Sequence, residues 1–169
     1  MDDLDDMDHR IVTALRACGT DPRVAGAARA LSWAGEHGAV WLAAGLASAA
    51  VDGTRRAAWL RGTALTAGAH VVSMGLKRVV RRPRPAHVVP LVRTAGRHSF
   101  PSSHATSAAA AAVVFGALGV RAAWPLAVAV CASRLVTGVH YPSDVAAGAA
   151  LGALTARLGA DWMRGGIRD

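Results

Sequence analysis

Long apolar runs alternate with short polar breaks along this chain, and the run lengths predict helices rather than strands. The runs cover residues 38–51, 57–76, 105–120, 122–136 and 145–158. The second is interrupted only by Arg61 near its start and by His70 within it. The last carries Gly148 and Gly152, a spacing of small residues that lets two helix backbones approach closely. Residues 52–56 and 139–143 read as turns, and Arg121 ends the 105–120 run. Residues 77–101 are basic, hold Pro83, Pro85, Pro90 and Pro101, and predict one long connection. Upstream, Leu4, Met7, Ile11, Leu15 and Cys18 recur at helical spacing and predict a short amphipathic helix over residues 2–17. Thr20-Asp21-Pro22 then reads as a stop and a restart, with proline in the first turn of a second helix over residues 23–34. The expected organisation is a single domain over residues 1–169, with an N-terminal region (1–34) and a helical core (38–158).

Composition sharpens the fold class. Hydrophobic residues make up 53% of the chain, aromatic residues 5%, and there are 18 glycines. Mean hydropathy is +0.30. The apolar mass is mostly Ala, Val and Leu, which suits closely packed membrane helices; a soluble Ala-rich bundle is the plainer alternative. We expect an all-α integral membrane bundle of about six helices, multi-pass in the cell membrane. A span takes about 17–20 apolar residues, so polar residues at the run ends must complete several of them. Trp33, Trp41, Trp59 and Trp124 sit near run ends and are expected to form an interfacial belt. Residues 1–8 hold five aspartates, the opposite of the basic start of a signal peptide. Cys18 and Cys131 form neither a disulfide framework nor a metal-binding pattern.

The formal net charge of +8 is unevenly placed. Lys77, Arg78, Arg81, Arg82 and Arg84 lie between two apolar segments, not on a polar exposed face. That placement argues for a membrane-edge site and against a nucleic-acid module. Arg78 reads as a solvated anchor, with Arg81 and Arg82 left open.

Three polar segments stand at the ends of apolar runs: residues 77–85, 100–104 and 133–144. Up-and-down threading brings all three to the same side of the bundle. Lys77, Arg84 and Arg134 would there concentrate positive charge, which a tetrahedral phosphate neutralises and which guanidinium forks fit in bidentate fashion. Ser102 precedes a helix expected to begin near Ser103, so its hydroxyl and the first free N–H groups would face the same anion. Asp144 lies four residues after His140, close enough for a tight turn to orient that ring and leave its other nitrogen to attack phosphorus. His104 would then be the acid. A metal held by His104, His140 and Asp144 is the alternative use of these groups, disfavoured by the three cations. His70 reads as a packed polar residue, and Glu36 with His37 as either a substrate-side pair or a helix end. His9, His87 and His98 read as surface residues.

These segments resemble the three-part signature of the type 2 phosphatidic acid phosphatase superfamily. Lys77 with Arg84-Pro85 fits K-x6-R-P, Pro101-Ser102-Ser103-His104 fits P-S-G-H with Ser103 in place of glycine, and Ser133-Arg134, His140 and Asp144 fit S-R-x5-H-x3-D. The likeness covers residues 77–144 directly and the surrounding helices less specifically. It implies a metal-free, cofactor-free membrane phosphatase in which His140 is the nucleophile, Asp144 orients it and His104 is the general acid. Lys77, Arg84, Ser102, Ser103 and Arg134 would bind the phosphate. Vanadate-dependent haloperoxidases share this kind of site, but as a rule they are larger and soluble.

Short length and the Gly35-Glu36-His37-Gly38 stretch are similar to short bacterial members acting on polyprenyl-linked phosphates such as decaprenylphosphoryl-5-phosphoribose. Polyprenyl diphosphate, phosphatidylglycerophosphate or phosphatidic acid are the other candidate substrates. A non-catalytic lipid-phosphate binding protein is the alternative of another class. The expected partners are thus a lipid phosphate and the bilayer, not nucleic acid. Arg55, Arg56, Arg61, Arg121, Arg157, Arg164 and Arg168 lie opposite the signature, which leans that face toward the cytoplasm and catalysis toward the outside.

Overall fold

A computed structural model describes residues 2–94 and 96–165 and shows an all-helical protein. Arg168, counted above among the basic residues opposite the signature, lies outside the described residues. The helices are α1 (Asp2–Cys18), α2 (Pro22–Ala34), α3 (Ala39–Val51), α4 (Arg56–Val80), α5 (Ser103–Ala117), α6 (Ala123–Val136), α7 (Pro142–Leu158) and the short α8 (Ala160–Arg164). Their boundaries follow the local chemistry. The Asp21 carboxylate accepts from the N–H groups of Arg23 and Val24 at 2.7 and 3.3 Å, and Pro22 opens α2 as expected. Pro142 opens α7 in the same way. Arg81 turns left-handed at φ 53° and stops α4, so the long connection begins at residue 81 rather than 77. Gly138, at φ 70°, supplies the turn after α6.

Helix α5 is the centre of the bundle, with Ala105, Ala108, Ala110, Ala111 and Ala112 fully buried. α7 crosses it at backbone contact: a Cβ on Gly148 would stand 2.5 Å from the Ser102 carbonyl oxygen, and one on Gly152 would stand 2.9 Å from the Thr106 carbonyl carbon. The small-residue face read from the sequence is therefore the α5–α7 interface. Because backbone rather than a flexible side chain blocks the space, Gly152→Leu is expected to lower stability by about 3 kcal/mol or more. Thermal unfolding in detergent, with the exposed Gly68→Leu as control, measures it.

Three expectations change. Trp41 and Trp59 do not join an interfacial belt: they are buried edge-on against Phe115, with ring centroids at 6.0 and 5.3 Å. Small alanines around them leave pockets that only a large ring fills, whereas Trp33 and Trp124 stay at the surface. In α1 the helix forms as expected, but Leu4 and Met7 are exposed and the inward side chains are Asp8 and Val12. An ion cluster described below holds Asp8 inside and so sets the rotation of the helix. Finally, among the described residues no helix is long and apolar enough to cross a membrane. α3, with 13 residues, is about 20 Å long.

Candidate active site

The ends of four helices and the long connection converge at one end of the bundle. α4 contributes Lys77 from its last turn, α5 contributes Ser103 and His104 from its first, and α6 contributes Arg134 from its last. The connection supplies Arg84, the α6–α7 turn supplies His140, and α7 supplies Asp144. Lys77, Arg84, Ser103, His104, Arg134 and His140 all line one cavity of about 130 Å³. Segments far apart in sequence are thus brought to one side, as the threading of the runs requires.

The three cations are held by neutral groups. Lys77 Nζ donates to the carbonyl oxygens of His98 and Ser99 at 3.3 and 3.2 Å. Arg84 Nε donates to the Gly96 carbonyl at 2.9 Å and Nη1 to the Val139 carbonyl at 2.7 Å. Arg134 is 2% exposed. Its Nη1 donates to the Ser32 hydroxyl, and its buried Nε has no partner. Among the described residues no carboxylate lies within ion-pair distance of any of the three. Concentrated positive charge without counter-charge is costly to bury, so this cavity is built for an anion.

His140 is buried beside it, with Nδ1 3.6 Å from Asp144 Oδ2, an ion-pair distance longer than a hydrogen bond. Its Nε2 lies 3.4 Å from Arg84 Nη1. A guanidinium only donates, so Nε2 presents a lone pair and the proton resides on Nδ1, facing Asp144. Burial pulls the His140 imidazole well below the usual histidine range; Asp144 opposes that shift, and Arg134, Arg84 and Lys77 reinforce it. Asp144 is fully buried. Its Oδ2 accepts from the Tyr141 N–H at 2.8 Å, and its Oδ1 accepts from Arg82 Nη1 at 3.1 Å.

His104 stands on another wall, with Nε2 3.0 Å from the Ser32 carbonyl oxygen, so that nitrogen carries the proton. Ser103 Oγ accepts from Ser73 Oγ at 3.0 Å and lies 3.5 Å from Met74 Sδ. Ser102 departs from expectation. Its hydroxyl is fully buried, caps α5 by accepting from the Ala105 N–H at 3.5 Å, and does not line the cavity. The strong preference of a helix start for a side-chain acceptor decides its direction. Its own N–H donates to the Asp144 carbonyl at 3.0 Å, tying α5 to α7.

Sequence reasoning left Arg82 open and missed Asp8. Arg82 is the junction of the site's outer side: Nη2 donates to Asp8 Oδ2 at 2.9 Å and Asp5 Oδ1 at 3.2 Å, and Nη1 donates to Ser143 Oγ at 2.6 Å. The guanidinium lies over the Tyr141 ring, 4.2 Å from its centroid. Asp8 also accepts from the Ser143 N–H at 3.0 Å and from the Ser143 hydroxyl. Nothing in a run of aspartates distinguishes the two that reach an arginine 74 and 77 residues away. Asp8→Asn is expected to reduce kcat about tenfold, the size of one charge-assisted hydrogen bond, with little change in KM. Steady-state kinetics in micelles measures this, with Asp3→Asn as the control.

The remaining walls come from Ser32, Glu36 and His37, from His70 and Met74 on α4, and from Arg93, Thr94 and Gly96 on the connection. His70, expected to be a packed polar residue, is therefore a cavity residue, as are both members of the Glu36–His37 pair. His9 and His87 are exposed, as expected. Among the described residues no group of three His, Cys, Asp or Glu side chains could hold a metal ion.

The helical bundle thus gathers a histidine, an aspartate 3.6 Å from it and three cations without a carboxylate among the described residues at ion-pair distance. The chain belongs to the PAP2 superfamily, whose family model matches residues 57–167. It is 45% identical, over 82% of its length and 78% of the relative's, to decaprenylphosphoryl-5-phosphoribose phosphatase of Mycolicibacterium smegmatis. The protein of the same description from Mycobacterium tuberculosis is 42% identical over 85% of this chain and 83% of its own. The fold is similar to the crystal structure of a transmembrane PAP2-type phosphatidylglycerolphosphate phosphatase from Bacillus subtilis, with a TM-score of 0.55, 21% identity, and 95% and 94% of the two chains covered. The protein is a phosphoric ester hydrolase of the lipid-phosphatase kind, and its fold is that of a membrane phosphatase.

Proposed function

We propose that this protein removes the terminal phosphate from a polyprenyl-linked sugar phosphate, with decaprenylphosphoryl-5-phosphoribose as the favoured substrate. The observation that carries the chemistry is the His140–Asp144 pair, with Nε2 of His140 unprotonated 3.4 Å from Arg84 Nη1 and Lys77, Arg84 and Arg134 on the same cavity. The identity of the mycobacterial relatives over most of both chains supports the substrate.

In the first step Lys77, Arg84, Arg134 and the N–H groups at the start of α5 hold the phosphate oxygens. His140 Nε2 forms a bond to phosphorus as the ester P–O bond breaks, and His104, present as the imidazolium beside the bound anion, gives its second proton, on Nδ1, to the leaving oxygen and becomes neutral. In the second, His104 takes a proton from water, the water oxygen bonds phosphorus, and the P–N bond breaks to release inorganic phosphate. Asp144 compensates the positive charge that develops on the His140 ring. The cations and helix start stabilise charge that grows in the transition state.

Membrane residence is supported by apolar side chains on the outer surface. Around an alanine-rich core that also holds Trp41, Trp59 and Phe115, Val71 and Val72 on α4, Leu126 and Val128 on α6, and Leu154 and Leu158 on α7 face outward. Lipid accepts such surfaces and water does not. The short helices then require polar ends or a locally thin bilayer. The basic face opposite the site favours a cytoplasmic position for that face, with catalysis outside.

Phosphate release by purified protein in detergent with EDTA tests the reading. The substrate panel holds phosphoribosylated polyprenyl phosphate, polyprenyl monophosphate and diphosphate, phosphatidic acid and phosphatidylglycerophosphate. Preference for the phosphoribosylated lipid supports the proposal. Preference for phosphatidylglycerophosphate would move the assignment to the activity in the Bacillus subtilis protein's description, and no release from any lipid by folded protein would favour a binding role.

A further inference from the structure

One wall of the cavity is formed by the segment between α2 and α3 together with α4. Between α2 and α3 the chain makes a 3-10 turn over Glu36–Gly38 in which two successive residues, His37 at φ 53° and Gly38 at φ 70°, are left-handed. A non-glycine residue adopts that conformation at a cost, and such strain gathers where a functional geometry needs it. Gly38 is required twice over, because a Cβ there would stand 3.2 Å from Ser107 Cβ. The turn presents Glu36 and His37 to the cavity wall, where His70 joins them, its ring centroid 6.4 Å from that of His37. His70 Nδ1 is buried and has no hydrogen-bond partner.

Glu36 is the only carboxylate among the described residues that line the cavity, and its Oε1 lies 4.0 Å from His37 Nε2. A carboxylate beside a phosphate site repels the phosphate and can only accept hydrogen bonds. It is therefore useful only to a part of the substrate that is neutral and rich in donors. Neighbouring hydroxyl groups meet that requirement, since a carboxylate's two oxygens can each accept one. The His70 imidazole lines the same wall and adds a polar ring to it.

We propose that Glu36, with His37 and His70, forms a leaving-group subsite that binds the vicinal hydroxyls of a sugar ring and so distinguishes sugar-linked phosphates from plain prenyl or glycerolipid phosphates. This rests on the phosphatase reading above and names the feature of the substrate that the enzyme selects. The side chain of Glu36 is 52% exposed, so its replacement leaves the fold intact.

The experiment compares two short-chain prenyl-phosphoribose phosphates that differ only in the presence or absence of the 2- and 3-hydroxyls. The wild-type enzyme is expected to favour the hydroxylated substrate in kcat/KM. Glu36→Ala is expected to lower that ratio roughly 10–100-fold, and Glu36→Gln, which keeps one acceptor oxygen, to lower it less. An unchanged ratio, a wild-type ratio of one, or an equal fall on both substrates overturns the subsite while leaving the phosphatase reading intact. Failure of wild type on both ribosyl substrates, with phosphate released from another lipid, overturns the subsite together with the substrate assignment.

Discussion

Replacing His140 with asparagine is expected to abolish phosphate release from every substrate, with kcat falling roughly 10⁴–10⁶-fold, as when a covalent nucleophile is removed. The expectation rests on a specific arrangement. His140 is 2% exposed, faces Asp144 with Nδ1 and Arg84 with Nε2, and is kept neutral first by burial and then by the surrounding cations. A neutral ring with a lone pair at Nε2 is the reactive form. Because its pKa is depressed, that form persists as pH falls below the usual histidine range, so the acid limb of kcat/KM should reflect another group. Rapid quench with a phosphate-radiolabelled lipid provides the direct check. The wild-type enzyme should carry label that survives alkali and is lost in acid, the behaviour of a phosphohistidine, and the asparagine variant should carry none. Labelling of the variant at wild-type level would assign the nucleophile elsewhere.

Arg134→Met should separate stability from activity. Arg134 is buried with no carboxylate partner and with its Nε unbonded. An apolar side chain of similar volume at such a position is commonly neutral or stabilising by about 1–4 kcal/mol. The melting temperature of the variant should therefore hold or rise, while kcat/KM falls roughly 10²–10³-fold or more through loss of a donor to the developing charge. Arg134→Lys should also lose much of the activity, because an ammonium cannot reproduce the planar fork. Inorganic phosphate should raise the melting temperature of wild type and fail to raise that of Arg134→Met, since ligand stabilisation scales with binding. A large drop in melting temperature that accounts for the lost activity would make Arg134 a structural residue instead.

Both residues stand out in the sequence itself. The spacing of Lys77, Arg84, His104, Arg134, His140 and Asp144, each at the end of an apolar run, required only that the runs be helices threaded up and down. The turn chemistry was equally local: Asp21-Pro22 opened α2, and Gly148 with Gly152 marked the face pressed against α5, whereas α7 starts at Pro142, inside the stretch read as a turn. Period, capping and side-chain volume act over a few residues, and these the sequence determined by itself.

What only the tertiary structure decided were choices among groups of equal local character. Ser102 and Ser103 are adjacent serines, yet one caps α5 and the other lines the cavity, because the fold places the cavity on one side of the helix start. Two of the five aspartates near the N-terminus, Asp5 and Asp8, reach Arg82, and Asp8 alone is buried, since α1 rests where Asp8 meets the connection and the α7 start. Trp41 and Trp59 turned inward because alanine-rich neighbours leave room for a ring. Glu36, His37 and His70 share a wall because a left-handed turn folds one segment over another more than 30 residues away. Each outcome depends on which surfaces meet after the helices assemble, and a pairing across such distances leaves no period in the chain from which it could be read.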